Sequence, residues 1–316
     1  MSQTVTAREV RSGVDLSVRV GSLSLCNPVI AASGTFGYGV EFADLIDLNA
    51  LGGIVVKGLS AQPMAGAPPP RMCETASGMV NAIGLQNIGV RAFVAEKLPV
   101  LRRYQQTVII ANIFGHAISD YVEVIRVLED AEGITAYELN VSCPNVQHGG
   151  SEFGVDPKSL EELVTAARAA SQRPLWVKLV PMVGVIRLIA RIAEGCGADA
   201  LTIANTYPAL CIDVHTFRSR LGSTTGGLSG AAIRPITVRL VYEACQAVQI
   251  PVIGLGGITE AEDAMEYILA GATAVQVGTA HFVDPTASER LVSGLEQYCS
   301  RVNISRISDL RGSLQR

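Results

Sequence analysis

The sequence predicts an α/β protein: a closed (β/α)8 TIM barrel with an N-terminal hairpin and long inserted loops at the C-terminal face of the strands. Three observations predict it. Short apolar runs rich in Val, Ile, Leu and Ala recur about eight times with helical stretches between them, and alternation repeated that often closes a parallel sheet. The composition agrees: 48% hydrophobic, only 17% charged and 31 glycines in 316 residues, with mean hydropathy +0.33, suits a sheet covered on both faces and linked by glycine turns. Polar residues also gather where the apolar runs end, which in such barrels is the face that carries the chemistry.

Taken in order, Leu16–Val20 and Ser22–Leu25 flank Gly21 and read as a small hairpin that plugs the barrel bottom. Strands are expected near Val29–Ala32, Gly53–Val56, Val108–Ala111, Ala136–Leu139, Leu175–Leu179, Ala200–Ala204, Val252–Gly254 and Ala274–Val277. Helical spacing with mixed charge marks 121–132, 159–171, 185–195, 232–248 and 261–270. Two connections are long, Lys57 to Thr107 and Asn205 to Gln249, and insertions of that length usually build an active-site face. With no linker or low-complexity segment, residues 1–316 read as a single domain.

Charge and cysteine usage exclude several classes. Lys+Arg 25 against Asp+Glu 29 gives net charge −4 and no general attraction to nucleic acid or acidic membranes. The 7 cysteines are scattered without a C-x-x-C pair, so neither zinc nor an iron–sulfur cluster is expected on this chain. The 4 histidines show no metal spacing. A polar start without an apolar leader, and no membrane-length apolar stretch, point to a cytoplasmic protein.

The chemistry centres on Glu138-Leu139-Asn140-Val141-Ser142-Cys143-Pro144-Asn145, where a buried run breaks into polar residues and proline. Asn140 and Asn145 offer amides, Cys143 offers a titratable thiol, and Gly149, Gly150 and Gly154 offer hinge positions. Further strand-end polar residues are Ser33-Gly34-Thr35, Lys57, Asn112, Lys178, Asn205-Thr206, Gly256-Gly257 and Gly278-Thr279. Glycines after the last two strands let backbone N–H groups approach a phosphate, and Gly226-Gly227-Leu228-Ser229-Gly230 is placed to close the same cradle. Lys57 and Lys178 each end an apolar run and need an anionic or strongly polar partner. A structural carboxylate meets that need, and so does a flavin, which gains negative charge on reduction. The amides of Asn81-Ala82-Ile83-Gly84-Leu85-Gln86-Asn87 suit a flat ligand such as a pyrimidine, or a polar surface loop.

On these residues the sequence resembles the dihydroorotate dehydrogenases, specifically the catalytic subunits of the class 1, B-type enzymes. The resemblance spans about Leu16 to Ala280 and rests on Ala32-Ser33-Gly34-Thr35, Asn81 to Asn87, Asn140 to Asn145, Ala204-Asn205-Thr206, Thr225 to Gly230 and Val277-Gly278-Thr279-Ala280. It implies FMN across the barrel top, with the phosphate near Gly230, Gly256, Gly257, Gly278 and Thr279, and with Ser33, Gly34, Lys57, Asn112, Asn140 and Lys178 also on the cofactor side. It implies a pyrimidine site of Lys57, Asn81, Gly84, Leu85, Asn140, Asn205 and Thr206. Cys143 matches the base that takes the C5 proton of dihydroorotate while hydride passes from C6 to flavin N5. The resemblance further implies electron transfer to a partner subunit carrying FAD and a [2Fe–2S] cluster, which reduces NAD. The expected assembly is a heterotetramer of two catalytic and two partner chains, built on a homodimer of this chain.

The chain departs from the family pattern at Tyr207-Pro208-Ala209, at Ala231, at Met182-Val183-Gly184 and at Ile88. Rival readings stay open: an FMN-dependent dihydropyrimidine dehydrogenase-like reductase subunit, an A-type homodimer that uses fumarate, or a non-catalytic phosphate-binding barrel scaffold. A tRNA dihydrouridine synthase is disfavoured by the acidic balance.

Overall fold

The computed structural model describes residues 13–142 and 153–315. Eight parallel strands close the barrel: β1 (Val29–Ala31), β2 (Gly53–Leu59), β3 (Val108–Ile113), β4 (Ala136–Asn140), β5 (Leu175–Leu179), β6 (Ala200–Ile203), β7 (Val252–Leu255) and β8 (Ala274–Val277). Each pairs with its sequence neighbour, and β8 pairs with β1 through Gln276 opposite Ile30. All eight expected strands form. Their near-continuous apolar runs are buried on both faces, by helices outside and packed side chains within.

The strand Gly53–Leu59 runs three residues past the expected end at Val56, through a register shift between Val56 and Leu59. Lys57 therefore sits inside an irregular strand end, a position where bulges commonly re-aim a side chain. The helix expected over 121–132 instead spans Ile118–Glu129. Its start moves back because the Asp120 carboxylate accepts from the backbone N–H of His116 (2.9 Å) and Ala117 (3.0 Å), satisfying the first turn. The helix expected over 232–248 begins only at Arg234, after a 3-10 turn at Ala231–Ile233, with Pro235 in its first turn.

The N-terminal hairpin pairs Val18–Val20 with Leu23–Leu25. Its turn at Gly21 abuts Asp199, just before β6, while Val20 and Leu25 are buried, so it covers the N-terminal end of the barrel. The two long connections are more ordered than loops. Met72–Thr75 and Gly78–Asn81 from the first join Gly226–Ser229 and Tyr207–Ala209 from the second in a four-stranded antiparallel sheet over the opposite end. Pro208 lies on an edge strand of that sheet, where its missing N–H costs no ladder bond to a further strand. Ile88 uses an N–H that proline lacks, donating to the Tyr38 hydroxyl at 3.0 Å. No helix among the described residues is long and apolar enough to cross a membrane.

Candidate active site

Between the C-terminal strand ends and the antiparallel sheet lies a cavity of about 740 Å³. Its walls include Ser33, Gly34, Lys57, Asn112, Asn140 and Lys178 at the barrel mouth. Asn81, Gly84, Leu85, Asn205 and Thr206 line one side, and Gly230, Gly256, Gly257, Gly278 and Thr279 another. The catalytic, cofactor and pyrimidine residues implied by the resemblance all line this one cavity except Cys143, which lies outside the described residues, as do Asn145, Gly149 and Gly150. Of the wider motifs, Gly226, Gly227 and Leu228 do not line it, nor does Asn87, whose amide is bonded to the Ser60 hydroxyl at 2.8 Å.

The amide side is a hydrogen-bonded array. Asn205 Nδ2 donates to Asn140 Oδ1 at 3.0 Å and to Ser142 Oγ at 2.6 Å, while Ser142 Oγ donates to the same Asn140 oxygen at 2.7 Å. The Asn205 side-chain oxygen Oδ1 accepts from the Thr206 N–H at 2.8 Å, and Asn81 Nδ2 donates to the Gly227 backbone carbonyl at 3.2 Å. Below it, the Tyr121 hydroxyl ties the Asn140 carbonyl at 2.8 Å. Leu85 has a positive φ of 59°, and a Cβ on Gly84 would stand 2.2 Å from the Ala67 nitrogen. That turn is compressed against its neighbour and presents backbone to the cavity.

The glycine side is built from close backbone approach. A Cβ on Gly230 (φ 97°) would lie 2.7 Å from Gly78 Cα, and one on Gly257 (φ 68°) 2.7 Å from the Gly230 carbonyl. The Thr279 hydroxyl crosses to Ser229 Oγ at 2.7 Å. Behind this wall His281 is buried, bonds Ser288 Oγ at 2.8 Å and packs on Phe36, and burial pushes its pKa down to about 4. It is a neutral brace for the wall.

Two ammonium groups face the cavity. Burial lowers the Lys178 pKa, opposed by the charge of Glu138, and its Nζ lies 3.4 Å from Ser33 Oγ. Burial also lowers that of Lys57, with Glu41 pulling it back up and Arg71 adding to the fall. The sequence reading gave Glu138 no role of its own. It is fully buried inside the barrel and accepts from Asn112 Nδ2 (2.8 Å), Thr202 Oγ1 (2.8 Å) and Gln276 Nε2 (2.6 Å). A charged residue within the apolar run Ala136-Tyr137-Glu138-Leu139 was the available signal. Trp176, opposite Glu138 in β5, is also fully buried, and its Nε1 has no hydrogen-bond partner among the described residues.

No group of three or more His, Cys, Asp or Glu among the described residues is arranged to hold a metal ion. A family model described as dihydroorotate dehydrogenase matches residues 15–299. The chain belongs to the dihydroorotate dehydrogenase family. Its similarity to relatives in that family runs nearly end to end. A protein of Solibacter usitatus, provisionally named dihydroorotate dehydrogenase A (fumarate), is 56% identical over 95% of this chain and 98% of its own length. The dihydroorotate dehydrogenase B (NAD(+)) catalytic subunits of Thermodesulfovibrio yellowstonii and Trichlorobacter lovleyi are 51% and 50% identical, over 95% of this chain and 99% and 98% of theirs.

Proposed function

We propose that this chain is the FMN-dependent catalytic subunit of a B-type dihydroorotate dehydrogenase, oxidising dihydroorotate to orotate in cytoplasmic pyrimidine biosynthesis. The observation that carries the reading is one cavity with an amide array, a buried and a half-buried lysine and a glycine cradle on its walls. The donor set fits FMN: backbone at Gly230 and Gly257 is packed too closely for side chains, as a phosphate cradle requires. A volume near 740 Å³ also lies in the range of sites that engulf a cofactor with its substrate.

Gly230, Gly256, Gly257, Gly278 and Thr279 would hold the FMN phosphate, and Ser33, Gly34, Lys57, Asn112, Asn140 and Lys178 its ring side. When bound, FMN supplies the hydride acceptor that no side chain here provides. Asn81, Asn140, Asn205 and Thr206, with the backbone of Gly84 and Leu85, orient the pyrimidine ring, and Lys57 attracts its carboxylate. The interlocked Asn140–Ser142–Asn205 bonds fix those amides before substrate arrives, so little ordering remains to be done on binding. Cys143 removes the C5 proton. A free thiol titrates near ~8.5, so it works near neutrality only with its proton lost or shared in the closed site.

Residues 1–316 form one FMN-binding barrel domain in this reading. Two such chains pair, and each hands electrons to a partner subunit carrying FAD and a [2Fe–2S] cluster that reduces NAD. The fumarate-linked name of the Solibacter relative supports a second reading, an A-type homodimer.

The test is an anaerobic half-reaction. The purified chain should be yellow and bleach with dihydroorotate, while dihydrouracil and dihydrothymine leave it coloured. Bleaching by dihydrouracil would favour a pyrimidine reductase, and a colourless protein a scaffold. Cys143→Ala should keep FMN and lose turnover, and near-normal turnover would remove Cys143 from the mechanism. Co-purification with a flavoprotein partner and NAD reduction separate the B-type reading from efficient fumarate use by the chain alone.

A further inference from the structure

The proposed reaction leaves one buried carboxylate without a task. Glu138 sits inside the barrel with no exposed surface, and its two oxygens accept from three neutral donors on three other strands. Being the acceptor in all three bonds is what an ionised carboxylate does. A charge so far from water is costly unless another charge answers it. None of Asn112, Thr202 and Gln276 carries one.

The strand register supplies the answer. β4 sets Asn140 beside Lys178 and Glu138 beside Trp176 in β5, so Glu138 and Lys178 face the same interior from adjacent levels. Lys178 is itself buried and its Nζ has only the Ser33 hydroxyl, at 3.4 Å, within hydrogen-bond reach among the described side chains. Of the other charged residues among those described, Lys57 of β2 and Glu74 of the sheet over the mouth line the same cavity: Lys57 repels rather than supports the Lys178 charge, and Glu74 is exposed, so solvent screens it. Ser33, Asn112, Asn140, Trp176, Thr202 and Gln276 are neutral. Burial drives Lys178 toward its uncharged form, and the carboxylate one level below opposes that drift.

We propose that Glu138 is a positioning residue, whose buried carboxylate keeps Lys178 an ammonium directed at the cavity and whose own charge Lys178 offsets in turn. Asn112, Thr202 and Gln276 hold the carboxylate in place. The pair is split by the barrel wall of the cavity: the cation lines it, while the anion lies beneath, away from any ligand. The inference rests on the FMN reading, because the ammonium is useful there only to a ligand that gains negative charge.

Sulfite binding to the holoenzyme reads that charge directly, since sulfite adds reversibly to a flavin and leaves negative charge on the ring. Glu138→Gln should weaken sulfite binding by about tenfold or more, with FMN retained. Glu138→Asp, which keeps the charge, should recover most of the affinity. In wild type the affinity should fall at high pH as Lys178 loses its proton, and in Glu138→Gln that fall should begin at lower pH. In a Lys178→Met background the Glu138→Gln change should have no further effect.

A protein that never binds FMN overturns the functional reading and this inference with it. FMN bound normally with sulfite affinity unchanged in Glu138→Gln overturns this inference alone, as does an equal loss in the Lys178→Met background. If Glu138→Gln does not fold, infrared spectra of the wild-type holoenzyme labelled with 13C-glutamate decide. Absence of a protonated carboxyl band at neutral pH supports the proposal, and its presence overturns it.

Discussion

The two sides of the cavity are made by different means. On the amide side, Asn140 and Asn205 meet the cavity with side chains locked to one another and Asn81 with its amide tied to the Gly227 carbonyl, and the backbone behind them is ordinary strand or strand end. On the glycine side the wall is main chain, brought so close at Gly230 and Gly257 that a single carbon would collide with it. The difference teaches which kind of change each side tolerates. Side-chain contacts are lost one at a time, at roughly 1 kcal/mol each, whereas a wall of backbone gives way together.

The sharpest way to break the comparison is Gly230→Ala. The added carbon meets Gly78 Cα at 2.7 Å on a backbone with φ 97°. A loss of at least about 2–3 kcal/mol is expected, with FMN no longer co-purifying. A variant that melts like wild type and stays yellow would mean this side is not backbone-limited.

The brace behind the glycine wall gives a pH signature of similar size. His281 has a folded pKa of about 4 against an ordinary 6.5, so the folded state holds it neutral. That stability is complete above 6.5 and is lost as pH falls from 6.5 towards 4, up to about 3 kcal/mol. Melting curves should show this acid limb in wild type and much less of it in His281→Gln.

Asn205→Ala probes the other side. Asn140 Oδ1 loses one donor and keeps Ser142, so the fold should lose only about 1–2 kcal/mol. The KM for dihydroorotate should rise about tenfold with FMN retained. Loss of FMN would show that the sides are not separable.

The smallest effect is expected from Thr279→Val, which removes a 2.7 Å bond to Ser229 and leaves the backbone wall intact. Thermal melting should register about 1 kcal/mol, with a modest fall in FMN affinity.

Much of this was readable in the chain. The barrel strands announce themselves because burial on both faces demands uninterrupted Val, Ile, Leu and Ala, and the mouth announces itself because each run ends in Ser, Asn, Lys or Gly. The sheet over the mouth was not readable. Gly78–Asn81 and Gly226–Ser229 are half-buried and glycine-rich, lacking both the alternation and the apolar run that mark a strand. Glu138 was visible as an oddity, yet its donors lie 26, 64 and 138 residues away in sequence, and only closure of the barrel brings them together. Helix starts moved for local reasons, such as the Asp120 cap, that apolar spacing does not encode.

Trp176 has a practical consequence. It is the only tryptophan in the chain, and it is sealed in the barrel two residues before Lys178, which lines the cavity above it. A chromophore seated overhead would drain its excited state, so near-ultraviolet emission should dim as the site fills and brighten as it empties. The molecule thus carries its own occupancy gauge, with no label to attach.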